Sequence, residues 1–95
     1  PMGFCYPGRG ASGDLPPRKE CSQTWHPRLL PMLAGVETVL LVGQSAQAHF
    51  LGETRKATLT DTVRAWREYG PRHFPLPHPS PRNVGWFKHN PWFEA

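Results

Sequence analysis

Apolar and polar positions change their period several times along this chain, and each change marks an element. Residues 36–42 (Val-Glu-Thr-Val-Leu-Leu-Val) are β-branched and almost wholly apolar toward their end. That pattern predicts a strand buried on both faces. Gly43 ends it, and Gln44 to Leu51 reads as a short helix closed by Gly52, with a polar turn over residues 53–57. Thr58 to Thr62 opens a second helix that places Leu59, Val63, Trp66 and Tyr69 on one face. Gly70-Pro71 stops it, and residues 73–76 (His-Phe-Pro-Leu) form the next strand.

The first third is more broken. Residues 1–5 are a short apolar piece read as the end of a strand, and residues 6–16 are dense in Gly and Pro, which predicts loop. A helix is expected from near Pro17, with Asp14 available nearby as a cap. Cys21, Trp25, Leu29 and Met32 fall at helical spacing, while Pro27 and Pro31 each remove a backbone donor and should kink or break it. Pro91 to Ala95 looks like the beginning of an amphipathic helix. Strands alternating with helices predict an α/β fold, a three-layer sandwich around a parallel sheet. Residues 36–42 should pair directly with 73–77, leaving 1–5 unpaired or mispaired in this chain by itself. Both ends look cut, so we expect the C-terminal part of one larger α/β domain, its sheet incomplete here.

Composition narrows the class of protein. Of 95 residues, 38% are hydrophobic and 19% charged, too apolar for simple disorder. No apolar run approaches the ~20 residues of a membrane-spanning helix, and nothing at the N-terminus resembles a signal peptide. A cytoplasmic, monomeric protein without a membrane role is the expectation. The net charge of +4 and a pI near 9.6 suit a polyanionic partner. Cys5 and Cys21 are read as free thiols or metal ligands in preference to a disulfide, because nothing marks the chain as secreted. Two thiolates are half of a four-ligand metal set.

The densest chemistry lies in Leu76-Pro77-His78-Pro79-Ser80-Pro81-Arg82-Asn83. Prolines at 77, 79 and 81 fix φ and push the residues before them into extended backbone. The loop therefore holds an imidazole, a hydroxyl and a guanidinium with little freedom. It follows a strand, where open α/β sheets place their ligand sites. By spacing alone the same loop reads better as a stiff surface connection with a solvated histidine.

His78-Pro79-Ser80-Pro81-Arg82 resembles the second active-site motif of the uracil-DNA glycosylase superfamily. Val39 to Gly43 with the Ala-containing helix after it is similar to the strand-and-glycine step that precedes this motif. Cys5-Tyr6-Pro7-Gly8-Arg9 and Pro17-Arg18-Lys19-Glu20-Cys21 are similar to the half-site supplying two cluster cysteines in the iron–sulfur bacterial and archaeal branches. The resemblance implies a DNA repair glycosylase that flips a deaminated base out of DNA and hydrolyses its N-glycosidic bond. It also implies a 4Fe-4S cluster with Cys5 and Cys21 as two ligands, and DNA contacts from Gly43, Gln44, Ser80, Pro81, Arg82 and Asn83. The first active-site motif would precede Pro1. Two positions depart from the family pattern: Pro1 stands where the iron–sulfur branch places a uracil-reading Asn, and Arg82 where the best-known members carry an apolar wedge.

The implied chemistry suits these residue types. Breaking the glycosidic bond leaves negative charge on the departing base, so a donor aimed at its carbonyl lowers the barrier. His78 is the expected donor, to pyrimidine O2, Ser80 a donor to a flanking phosphate, and Arg82 a phosphate ligand or a filler of the gap left by the flipped base. Trp25, Trp66, Trp86 and Trp92 are expected to pack between layers, and Arg64, Arg67 and Arg72 to form a solvated helix face. The other histidines share no metal-ligand spacing. Two other classes stay open: a non-catalytic nucleic-acid-binding relative, and a proline-rich protein-interaction segment.

Overall fold

The computed structural model describes residues 1–94. The chain divides into two compact units, Pro1–Glu37 and a second from Thr38 onward.

In the first unit residues 1–5 form no strand, so the strand expected there is absent and the segment is unpaired. Within the expected loop the backbone closes a minimal antiparallel ladder, β1 (Arg9–Gly10) against β2 (Gly13–Asp14). The Tyr6 hydroxyl donates to Asp14 Oδ1 at 2.9 Å across this turn. Asp14 is thereby engaged away from the helix, whose start at Lys19 has no side-chain cap. That helix, α1 (Lys19–Leu29), carries Pro27 in its last turn, and a 3-10 turn, Leu30–Leu33, takes over with Pro31 inside it. The expected break is there. α1 buries only Ser22 and His26, and His26 Nε2 donates to the Pro1 carbonyl at 2.9 Å.

The second unit contains the α/β layering. β3 (Val39–Val42) runs parallel to β4 (His73–Leu76), with Val39 opposite His73 and Val42 opposite Leu76. The direct parallel pairing expected from the sequence is borne out. Between the strands lie α2 (Gln44–Leu51), a 3-10 turn Gly52–Thr54, α3 (Leu59–Arg64) and a second 3-10 turn, Trp66–Glu68. After β4 come a 3-10 turn Pro81–Asn83, α4 (Val84–His89) and a final turn, Pro91–Phe93. The helix expected from Thr58 to Tyr69 is thus shorter, continuing past Arg64 only as a 3-10 turn.

Local chemistry explains these boundaries. Thr58 is the N-cap of α3: its Oγ1 accepts from the Asp61 backbone N–H at 3.1 Å and donates to Asp61 Oδ2 at 2.8 Å. The apolar core consists of Leu41, Leu51 and Val63, with Pro75 beside Leu41 in the strand register. The strand expected to be buried on both faces is buried on one. Leu41 is fully covered, while Leu40 on the opposite face is 59% exposed. Alternate residues of a strand face opposite ways, and no described element covers the Leu40 side.

Candidate active-site loop and nucleic-acid interface

The site is built where β3 and β4 end. Pro75 cannot donate to a ladder, which suits β4 as an edge strand. β3 leaves the sheet through Gly43, at φ 89° and ψ 173°. Only glycine adopts this backbone without strain, and it lets the chain turn at once into α2. The Gly43 N–H donates to the Leu76 carbonyl at 2.9 Å, joining the two strand ends. A Cβ built on Gly43 would lie 3.6 Å from the His78 Cβ, so the histidine stands in van der Waals range of the glycine step.

The loop after Leu76 is tied at several points. Pro77 is buried while His78 is exposed. The Asn83 side-chain amide donates to the His78 carbonyl at 2.5 Å, and the Asn83 backbone N–H donates to the Ser80 carbonyl at 2.9 Å. Ser80 Oγ accepts from the Arg82 N–H at 3.1 Å, capping the turn whose first residue is Pro81. Among the described residues nothing accepts from the Ser80 O–H. Arg82 is exposed. Gln44, the first residue of α2, is exposed as well. Gly43, His78 and the 80–83 turn are therefore gathered at one end of the sheet. Asn83, expected to face DNA, spends its amide on holding the loop.

Sequence reasoning missed Gln47. It is fully buried, and its Nε2 donates to both the Leu41 carbonyl (3.2 Å) and the Leu76 carbonyl (3.0 Å). The available signal was an amide placed four residues before Leu51 on the covered side of a short helix.

The arginines and tryptophans named from the sequence are placed as follows. Arg64, Arg67 and Arg72 are exposed, as expected, and in addition the guanidinium groups of Arg64 and Arg67 lie over Trp92 at 4.6 Å and Trp66 at 4.5 Å. Trp66 is stacked on Phe74 at 5.6 Å. These groups, with Val63 and Leu76, line a cavity of about 520 Å³. Trp86 packs edge-on against Phe87, Trp92 and Phe93, and its Nε1 donates to Thr60 Oγ1 at 2.9 Å. Trp25 is 45% exposed beneath Arg28, so it does not pack between layers.

In the first unit Cys5 is exposed and Cys21 half-buried, both as free thiols. Among the described residues no three His, Cys, Asp or Glu side chains converge as a metal site. A tetrathiolate cluster needs four thiolates, so the donor set present matches half of one.

A strand end, a left-handed glycine and a tied His-Pro-Ser-Pro turn place this candidate site beyond the carboxyl ends of the parallel pair in an α/β protein. The family model described as Uracil DNA glycosylase superfamily matches residues 3–95, and the chain belongs to that family.

Proposed function

We propose that this chain carries the leaving-base side of a DNA glycosylase site, acting on uracil or a related deaminated base. The observation that carries the reading is His78. It is exposed, stands against Gly43, and has its carbonyl clamped by Asn83. The reacting base is flipped out of the stack. As the C1′–N1 bond breaks, its electron pair moves onto the base, and a ring N–H of His78 hydrogen-bonds the pyrimidine O2 that takes up the charge. Water supplies the new bond at C1′ and releases its proton to solvent. A fixed donor is effective because it needs no reorganisation as charge develops. Ser80 donates its free O–H to a flanking phosphate, and Arg82 binds phosphate or enters the vacated stack.

Cys5 and Cys21 are proposed as two of the four thiolates of a 4Fe-4S cluster, the others coming from a longer parent protein. Cys5, in the segment before β1, and Cys21, on α1, would hold the cluster between them, and it would supply a covalent cross-link between those two segments. The parent should be brown when purified without oxygen, and Cys21→Ser should bleach it. A colourless parent overturns the assignment.

One observation favours the second reading, a nucleic-acid-binding relative without catalysis: Pro1 occupies the position expected for a base-reading Asn and offers only its carbonyl, which accepts from His26. The two readings separate by substitution. Glycosylase action predicts that His78→Ala lowers the single-turnover excision rate about 100- to 1000-fold, with DNA affinity nearly unchanged, as expected for an interaction made in the transition state. Arg82→Ala should weaken DNA binding and reduce its salt slope by about 1. DNA binding lost with Arg82→Ala, and no excision of any deaminated base by the unaltered protein, would establish the second reading. Both variants behaving as the unaltered protein would leave the loop a connector.

A further inference from the structure

We infer that Gln47 is a positioning residue for His78, an inference that rests on the glycosylase reading. Both hydrogens of its amide are committed, one to the carbonyl of Leu41 inside β3 and one to the carbonyl of Leu76 at the end of β4. The Leu76 carbonyl is also the acceptor for the Gly43 N–H. Leu76 is the last residue before the Pro77–Asn83 loop, so a single side chain ties α2 to β3, to β4 and to the root of the His78 loop. The orientation of the amide is unambiguous. Two carbonyl oxygens face Nε2, and a flipped Oε1 would meet them with no hydrogen to share. Among uncharged side chains only glutamine supplies two donors at this reach: ionised glutamate has none, a buried lysine or arginine would carry an unpaired charge, and leucine or methionine would fill the volume without bonding either carbonyl. A purely space-filling role would be met by leucine, the residue that covers the same side of α2 at position 51. A buried, doubly bonded amide beneath the strand ends instead holds the Gly43–His78 contact in one geometry. Small displacements of a catalytic donor are costly in rate.

The test is a double-mutant cycle in the full protein, read by single-turnover excision and by DNA affinity. Gln47→Leu should slow excision about 10- to 100-fold with DNA affinity unchanged. On a His78→Ala background it should cost almost nothing further, because its effect passes through that histidine. Gln47→Met, of matching length and flexible, serves where the leucine variant does not fold. Equal losses in both backgrounds, or no loss in either, overturn the inference. Should the unaltered protein excise no base, the glycosylase reading fails by itself, and the positioning claim is decided by nuclear magnetic resonance. Gln47→Met should then shift the His78 ring signals and speed exchange of the Gly43 amide. Unchanged signals and exchange overturn it.

Discussion

α1 and α2 make an instructive pair. α1 is the longer, at 11 residues against 8, yet it buries only Ser22 and His26, whereas α2 buries Gln47 and Leu51. Trp25, Leu29, Leu30, Met32 and Leu33, on α1 and the turn after it, all stay exposed. The fully apolar core residues Leu41, Leu51 and Val63 belong to the second unit. The first unit is therefore held by proline-limited backbone and a few polar links, Tyr6 to Asp14 and His26 to Pro1. The second combines apolar burial with polar ties at its strand ends. The lesson is that helix length says little about contribution to a core; what matters is whether a facing layer is present. Every partner that fixes the His78 loop, namely Gly43, Gln47, Leu76 and Asn83, lies within the second unit.

The sharpest way to break this contrast is a pair of truncations. Leu41→Ala opens a cavity at the fully buried position of β3 and should destabilise the second unit by about 2–5 kcal/mol. Met32→Ala removes a side chain that is 79% exposed and should change stability by less than about 0.5 kcal/mol. Denaturant titration of the two variants measures both. Comparable losses would mean that the first unit has a core of its own.

Gly43→Ala is the intermediate case. At φ 89° an alanine is strained even though the nearest His78 atom leaves room for its Cβ, and the expected cost is about 1–3 kcal/mol. Thermal unfolding reports the cost. A neutral substitution would show that the strand end can relax without the left-handed glycine.

The smallest effect belongs to the first unit and is seen through pH. The hydrogen bond to Asp14 and the charge of its carboxylate hold the Tyr6 pKa above the ordinary tyrosine value of 10.0. Because the folded-state pKa is raised, the stabilisation is complete below the unfolded value and is lost as pH rises through the raised one. Phenolate absorbance in a Tyr69→Phe background should show a Tyr6 midpoint above the ordinary value, and Asp14→Asn should bring it down. An unchanged midpoint would remove this link from the first unit.

Much of the second unit was legible from residue order. The helix from Gln44 to Leu51 and the strand at 73–76 stand where their patterns place them, and the β-branched run ends at Gly43 as expected but is a strand only over Val39–Val42, without residues 36–38. So does the parallel pairing of the strands. These features are local or follow from hydrophobic period, glycine and proline, whose conformational limits act wherever they occur. The His-Pro-Ser-Pro turn was readable for the same reason. Other features depended on what each residue meets in three dimensions. The one-sided burial of β3 reflects which layer is present, and Asp14 found Tyr6 instead of the helix start. Arg64 and Arg67 met indole rings that are distant in sequence or brought close by the 3-10 turn. Gln47 took its role from two carbonyls, 6 and 29 residues away. Sequence periodicity determines which side of an element is apolar; only tertiary packing decides which polar atoms are left to one another once that side is covered.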